Sequence, residues 1–217
     1  MHLDVLYHDS CILVVNKPSG LLVHRGWGRE SVVLVDLVRE FTGAKRVHPV
    51  QRLDRGASGA IVFALDPETA RMLQDLDEFE KSYLALVRGH PPETGVIDHP
   101  IPRRPHGPRV PAKTTFRLVA SQSCQPREVS LVEVVPRSGR LHQIRRHMKH
   151  IDHPLIGDSN YGRTELNREI KARYGLSRLA LHCQSVSLKP PKKSGLQRIE
   201  APLPADLSNP LKKMGFF

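Results

Sequence analysis

The sequence has few cysteines, few aromatic residues and no long apolar run, and each shortage excludes a class of protein. Its three cysteines, Cys11, Cys124 and Cys183, are odd in number and show no C-x-x-C spacing, which argues against a disulfide framework. Aromatic residues make up 5% of the chain, too few for the stacking platforms that bind single-stranded nucleic acid. Every apolar run is far shorter than the roughly 18 residues that a membrane helix requires.

The N-terminal residues MHLDVLYHDS lack the cationic start and the apolar core of a secretory signal. Together with the cysteine pattern, this predicts a cytoplasmic protein with no membrane association. Acidic residues are also in deficit, because 22 Asp and Glu face 33 Lys and Arg in 217 residues and leave a net charge of +11. A polyanion is therefore the partner that the composition favours.

Hydrophobic periodicity predicts one α+β domain in which strands predominate. Strands are expected over 3–15, 21–24, 60–65, 82–88, 114–119, 129–135, 179–188 and 197–201, and helices over 31–41, 67–79, 140–151 and 165–174. The segment 89–111 contains seven prolines, and we interpret it as a long loop or insert. No linker separates two cores, so residues 1–217 are predicted to form a single domain.

The segment Gln51-Arg-Leu-Asp-Arg-Gly-Ala-Ser-Gly59 places an acid, Asp54, between two arginines on a loop that leads into a buried strand. An acid positioned on a loop edge is typical of a catalytic residue. A surface turn whose acid only pairs with the flanking arginines is the common alternative. The motif alone leaves both interpretations open.

The predicted helix over 140–151 carries an apolar stripe, with Arg145 near its margin and Arg146 and His150 on the opposite side. An arginine at the edge of a buried face requires an anionic partner, because removing water from a lone guanidinium is costly. Asp54 is a candidate for that partner, and a neighbouring positive charge would keep its carboxylate ionised. An ordinary structural ion pair is the alternative.

Four histidines in the same segment, His142, His147, His150 and His153, raise the question of a metal site. His142 and His147 do not share a helix face, and no cysteine or suitably placed carboxylate completes a ligand set, so no metal is predicted. The glycines form neither a dinucleotide-binding nor a Walker A pattern.

Basic residues fall in clusters that together predict a surface contacting the phosphates of a folded RNA, with ordinary solvated faces as the alternative. The clusters are Lys45, Arg46, Arg52 and Arg55; Arg103, Arg104 and Arg109; Arg137, Arg140, Arg145, Arg146 and Lys149; and Lys189, Lys192 and Lys193.

Three motifs resemble, in order and spacing, those of the RluA-type pseudouridine synthases. They are Arg52-Leu-Asp-Arg55 with Ser58-Gly59, Lys81-Ser-Tyr-Leu-Ala-Leu-Val-Arg-Gly89, and Gly139-Arg-Leu-His-Gln-Ile-Arg-Arg-His147 followed by His153-Pro-Leu-Ile-Gly-Asp158. The resemblance implies an isomerase that detaches uracil from C1′ of a uridine in RNA and rejoins it through C5. It also implies a central mixed, largely antiparallel sheet flanked by helices, a basic active-site cleft and no organic cofactor.

By the same resemblance, Asp54 matches the catalytic aspartate, Tyr83 the tyrosine that stacks on the target base, and Arg145 the arginine that holds the aspartate charged. Arg52 matches the arginine that fills the space left when the uridine is flipped out. Contacts with RNA are expected from Gln51, Arg52, Arg55, Arg140, His142, Gln143 and Arg146. The family usually has histidine at position 51, and glutamine cannot carry a positive charge, so we expect altered RNA contacts there.

Two further segments, Leu22-Val-His-Arg-Gly-Trp27 and Gly157-Asp-Ser-Asn-Tyr-Gly162, resemble the branch of the family that modifies uridine 65 of tRNA. The chain starts directly with the catalytic pattern, so no N-terminal RNA-binding domain is expected, and a monomer is predicted. An enzyme acting on ribosomal RNA and a non-catalytic RNA-binding factor on the same fold are the alternatives. A metal-dependent nuclease is disfavoured, because no cluster of carboxylates is found.

Overall fold

The computed structural model of the chain describes residues 2–25, 32–75, 79–103, 107–191 and 194–217. The strands are β1 Val5–His8, β2 Ile12–Lys17, β3 His48–Pro49, β4 Ser58–Ala64, β5 Glu80–Arg88, β6 Thr94–Asp98, β7 Ile101–Pro102, β8 Arg109–Val110, β9 Lys113–Gln122, β10 Val129–Pro136, β11 Leu181–Leu188 and β12 Gln197–Glu200. The helices are α1 Leu34–Thr42, α2 Pro67–Asp75, α3 Gln143–His150, α4 Thr164–Tyr174 and α5 Ala205–Lys213. The predicted α+β class, with a mixed, largely antiparallel sheet accompanied by helices, is confirmed.

The first compact unit comprises Met1–Lys81 and Cys183–Pro202. Its strands β2 and β4 pair antiparallel over their whole length, from Ile12↔Ala64 to Lys17↔Gly59. Both strands are buried at nearly every position, which is why residues 12–15 and 60–64 are continuously apolar rather than alternating. Strand β1 pairs with the free side of β2, β3 adds to β4, and β11 pairs with β12. The loop 50–57 is therefore anchored at its C-terminal end to a fully buried strand, β4.

The second compact unit comprises Ser82–His182 and Leu203–Phe217. Its strands run in the order β5-β10-β9-β6, and each neighbouring pair is antiparallel. The helices α4 and α5 bury their apolar residues against β5 and β10, which gives the unit its core. That core includes Leu86, Val129, Leu131, Ile156, Leu166, Ile170, Leu207, Leu211 and Met214.

Residues 21–24 are not the strand that the sequence predicts. The carbonyls of Leu22 and Val23 accept hydrogen bonds from the backbone amides of Leu34 (2.8 Å) and Val35 (3.0 Å). Those amides belong to the first turn of α1 and have no partner within the helix. The segment therefore caps a helix instead of joining a sheet.

The segment 89–111 is not a featureless loop, because it contains β6, β7 and β8. Strand β6 pairs with β9 from Thr94↔Arg117 to Asp98↔Lys113, and β7 and β8 form a short two-stranded ribbon. Except for Pro102, the prolines in the described part of this segment lie outside the strands. They separate short strands rather than preventing them.

Helix α5 is missing from the sequence-based prediction, whereas the predicted helices are found with shifted ends. Its apolar residues Leu207, Leu211 and Met214 have helical spacing, but Pro210 within the helix interrupts the pattern that would reveal it. Helix α3 begins at Gln143 rather than at residue 140. In the part of the chain that the structure describes, no helix is long and apolar enough to cross a membrane.

A glycine near the start of β4 fixes how closely this strand approaches β11. Gly59 has φ +111°, and a Cβ placed on it would lie well inside van der Waals contact with the backbone of Cys183. We expect Gly59→Ala to lower the free energy of unfolding by about 3 kcal/mol, because backbone strain and overlap combine. Gly43→Ala is the matched control: it also has positive φ but open space around it, and about 1 kcal/mol is expected. Equal losses in urea denaturation would contradict the steric explanation.

Candidate active site

The loop before β4 holds Asp54 at the start of a tight turn in the first unit. The Asp54 carbonyl accepts a hydrogen bond from the Ala57 amide at 3.1 Å, which closes the turn. Leu53 and Ala57, on either side of the turn, are buried, while Asp54 itself is half-buried. The acid is therefore carried on a loop that is anchored at both ends, as a positioned functional group requires.

A second loop, 18–21, braces this turn from the side. The Gly20 amide donates to the Arg55 carbonyl at 2.7 Å, and the Ser19 hydroxyl donates to the Gly56 carbonyl at 2.8 Å. The Arg55 guanidinium returns a hydrogen bond to the Gly20 carbonyl at 3.1 Å. The turn-forming sequence Asn16-Lys-Pro-Ser-Gly20 is thus a support for the Asp54 loop.

The Lys17 side chain links the two loops through hydrogen bonds to backbone carbonyls of both. Its side chain is fully buried, and its ammonium donates to the carbonyls of Leu21 (2.8 Å), Pro18 (2.9 Å) and Arg55 (3.3 Å). A buried ammonium is tolerated when its donors are satisfied in this way. Sequence reasoning missed this role, since a lysine in a turn ordinarily points to solvent.

We expect Lys17→Met to lower the free energy of unfolding by about 2 kcal/mol, because buried carbonyls lose their donor while the side-chain volume is kept. Lys45→Met, an exposed lysine of the same unit, should change it by less than about 0.5 kcal/mol. Urea denaturation of the two variants measures both values. If Lys17→Met proves as harmless as Lys45→Met, the bracing role is wrong.

The other predicted residues of this loop differ in exposure. Gln51 is buried, and its side-chain amide donates to the Ala60 carbonyl at 2.8 Å. Its Oε1 has no hydrogen-bond partner among the described residues. Arg52 and Arg55 are exposed beside Asp54. The two arginine side chains are exposed to solvent, whereas the Gln51 side chain is buried in the protein.

Tyr83 lies in β5 of the second unit, opposite Val134 of β10. Its side chain is buried, with 5% of the residue exposed. The neighbouring Ser82 hydroxyl donates to Glu133 at 2.7 Å, and Glu133 also accepts from Arg117 at 2.7 Å. Strand pairing therefore fixes the backbone that carries Tyr83.

Arg145 of α3 forms a buried, bidentate ion pair with Asp158. Its Nε and Nη2 donate to the two carboxylate oxygens at 2.7 and 2.8 Å, and the Asp158 side chain is fully buried. Burial by itself would raise the pKa of Asp158, but the hydrogen bonds and charge of Arg145 and the amides of Asn160 and Tyr161 outweigh it, so the pKa is lowered. The carboxylate thus stays ionised and orients the guanidinium.

The anionic partner that the helix projection required is therefore present, and in the described contacts it is Asp158. Pairing of Arg145 with Asp54 stays a prediction. Asp158 belongs to the third of the family motifs, but its spacing from Arg145 does not predict this contact, because a loop residue follows no helical or strand period.

The Tyr161 side chain contacts Arg146 of α3 and His142, the residue that precedes this helix. Arg146 Nε donates to the Tyr161 oxygen at 2.8 Å, and His142 Nδ1 lies 3.1 Å from the same oxygen. The Arg145 guanidinium also lies over the Tyr161 ring, 5.1 Å from its centroid. The structure thus brings Arg145, Arg146 and His142 together on one aromatic side chain that sequence reasoning did not select.

Gln143 is buried, and its amide is fully engaged within the protein. Its oxygen accepts from the Ser138 hydroxyl (2.6 Å) and the Arg140 amide (3.1 Å), while its nitrogen donates to the Lys113 carbonyl and the Thr114 hydroxyl. It braces the start of α3, and we do not retain it among the proposed RNA contacts. The Arg140 side chain is exposed just before the helix.

Some predicted residues lie outside the described part of the chain: Gly26 and Trp27 of the branch-specific motif, and Arg104, Lys192 and Lys193 of the basic clusters. Within the described residues, no three His, Cys, Asp or Glu side chains are grouped as metal ligands. His142, which precedes α3, and His147 and His150 within it contact protein groups instead.

The motifs and the fold have counterparts in known proteins. Residues 11–150 match the family model described as RNA pseudouridylate synthase. The chain belongs to this family. The resemblance to RluA-type enzymes is thereby confirmed, and the chain is an isomerase that converts uridine in RNA to pseudouridine.

Curated relatives and solved structures agree with this assignment. The chain is 35% identical over 224 residues to the tRNA pseudouridine synthase C of Haemophilus ducreyi, covering 88% of this chain and 87% of that protein. It is 33% identical over 211 residues to the protein of the same name from Vibrio cholerae, covering 87% and 86%. The structure of human RNA pseudouridylate synthase domain containing 4 is similar, with a TM-score of 0.76, 26% identity and coverage of 97% and 92%. Human RNA pseudouridylate synthase domain containing 1, at 24% identity, 95% and 86% coverage and a TM-score of 0.75, shares the fold.

Proposed function

We propose that this pseudouridine synthase acts on tRNA, at uridine 65, and that it works in the cytoplasm as a monomer. The observation that carries the substrate class is the similarity, over nearly nine tenths of both chains, to an enzyme named tRNA pseudouridine synthase C. The net charge of +11 supports a polyanionic substrate such as tRNA. The motifs of Gly157–Gly162 support the position-65 branch.

Asp54 is the proposed catalytic carboxylate, Tyr83 the side chain that stacks on the target base, and Arg145 the partner that keeps the carboxylate charged. Each is carried on a firm support: Asp54 on the loop braced by Lys17, Tyr83 on a paired strand, and Arg145 on its bond to Asp158. Side chains that are held in position in this way favour catalysis, because they need little rearrangement to reach the transition state.

Arg52 is proposed to occupy the space left by the flipped uridine, and Arg55, Arg140, His142 and Arg146 to hold the surrounding RNA. The glycosidic carbon is inaccessible inside a stacked helix, so the target nucleotide must leave the stack. Exposed arginines beside Asp54 suit that purpose, since guanidinium groups bind phosphates and stack on bases. No redox step occurs, so no organic cofactor is required.

The experiment is tritium release from RNA labelled at uracil C5, since C5 must lose its hydrogen when it becomes the glycosidic carbon. Wild-type enzyme is expected to release tritium from tRNA, and not from tRNA that carries cytidine at position 65. A ribosomal RNA fragment is the second substrate. Release from that fragment alone would retain the isomerase and overturn the choice of tRNA.

A further inference from the structure

The ribbon formed by β7 and β8 is held firmly against α3 in the second unit. His147, fully buried, lies 2.9 Å from the His99 carbonyl through Nε2 and 2.8 Å from the Thr114 hydroxyl through Nδ1. Because a carbonyl only accepts, Nε2 carries the proton and Nδ1 accepts from Thr114. Arg146 adds a hydrogen bond from Nη1 to the Pro102 carbonyl at 3.1 Å. The proline-rich segment is thus docked, and a pocket of about 390 Å³ lies where it meets the helix.

The polar lining of this pocket is basic. Arg109 reaches it from β8, Arg146, Lys149 and His150 from α3, and His99 from the turn before β7. None of the lining residues that the structure describes is acidic. Tyr161 closes one side, and Ile101 and Pro102 give it an apolar wall. Positive groups from two elements therefore converge on one cavity at the surface.

Among the described residues, the acceptors that orient the two arginines are all neutral. Arg109 Nη2 donates to His99 Nε2 at 2.6 Å and its Nε to the Pro100 carbonyl at 2.9 Å, while Arg146 donates to Tyr161 and Pro102. Burial, His150 and Arg109 all lower the pKa of His99, so its ring stays neutral and accepts this bond. His150 stacks on that ring at 3.7 Å between centroids. Both guanidinium charges are therefore held in place without a carboxylate that would cancel them.

We propose that this pocket, formed by the β7–β8 ribbon, α3 and Tyr161, binds a backbone phosphate of the RNA substrate. A phosphate matches the convergence of guanidinium and ammonium groups, because its oxygens accept several charge-assisted hydrogen bonds at once. The exposure of Arg109, Lys149 and His150 suits a phosphate on a large molecule passing over the surface better than an enclosed small ligand. The inference rests on the proposed function, and it assigns the proline-rich segment a role in holding the RNA.

The test is the salt dependence of tRNA binding by the full chain. Removing the positive charge of one side chain that contacts a phosphate should reduce the slope of log Kd against log salt by about 1. Arg109→Gln is expected to weaken binding about 5- to 10-fold at 0.1 M salt and to reduce the slope in this way. Arg168→Gln, an exposed arginine of α4 with the same loss of charge, is the control and should change Kd less than about 2-fold. Equal effects of the two substitutions would overturn the proposal.

Because Arg109→Gln could detach the ribbon, Lys149→Gln provides a second variant in which an exposed side chain is changed. It is expected to weaken binding about 3-fold with a slope reduced by about 1, and an unchanged slope would overturn the proposal. Tritium release by the wild-type enzyme reports separately on the proposed function, so failure of one is not mistaken for failure of the other.

A last measurement distinguishes the RNA backbone from free phosphate as the source of the anion. The ring NMR signals of His99 and His150 should shift when tRNA is added to the full chain. Inorganic phosphate at an equal concentration of phosphate groups should leave them unchanged, because it lacks the additional contacts of the polymer. Shifts produced by inorganic phosphate alone would identify a free-anion site and overturn the assignment to RNA.

Discussion

Asp54→Asn is expected to abolish tritium release from C5-labelled tRNA, with a fall in rate of about 1,000-fold or more, equivalent to about 4 kcal/mol in the activation barrier. The substitution keeps the volume and much of the hydrogen-bonding capacity of the side chain. It removes the negative charge, however, and an amide is a poor nucleophile and a poor base. Whichever of these roles the carboxylate performs, the reaction should stop.

Binding and folding should be largely preserved in this variant, which separates a catalytic role from a structural one. The braces of the Asp54 loop run through backbone carbonyls and Lys17, and the substitution leaves those groups in place. The Kd for tRNA is therefore expected to stay within about 3-fold of wild type. Glu40→Gln, an exposed acid of α1, is the matched loss of charge and should retain full activity. Normal turnover by Asp54→Asn would remove Asp54 from the mechanism.

Much of the fold follows from the sequence because burial leaves a periodic signal. The unbroken apolar runs of β2 and β4 identify strands covered on both faces, and the helical projection places Arg145 beside the apolar stripe. The structure finds Arg145 buried, with an anionic partner, as that position requires. Elements whose own sequence encodes one buried face are thus predictable from that sequence.

Contacts between loops leave no such signal, and they account for what the sequence did not reveal. Asp158 pairs with Arg145 from a loop 13 residues away, and Lys17 is buried among backbone carbonyls that two loops supply, including that of Arg55. Prolines add a second difficulty, since Pro102 lies in a ribbon and Pro210 lies in a helix. In both cases tertiary packing outweighs the local preference of the residue.

Arg145→Ala is expected to lower the free energy of unfolding by about 3–5 kcal/mol, because it leaves the buried carboxylate of Asp158 without its counter-charge. The matched control is Arg146→Ala, a half-buried neighbour in α3 whose described partners are neutral, for which about 1 kcal/mol is expected. The rate of tritium release should fall as well, because Arg145 is one of the proposed catalytic residues. Equal stability of the two variants in urea denaturation would contradict the importance of the buried pair.

The double variant Arg145→Ala/Asp158→Ala should lose less free energy of unfolding than the sum of the losses in the two single variants, since neither charge is then left buried without its partner.

The pH dependence of the free energy of unfolding provides an independent test of this ion pair. The pKa of Asp158 is lower in the folded chain than in the unfolded chain, so its stabilisation is present above the ordinary carboxyl range near pH 4 and is lost as the pH falls through the lowered value. Asp158→Asn should therefore have a lower free energy of unfolding than the wild type at neutral pH. Its free energy of unfolding should also decrease less than that of the wild type when the pH is lowered. An acid limb of unchanged steepness in Asp158→Asn would show that other carboxylates, and not this pair, govern unfolding at low pH.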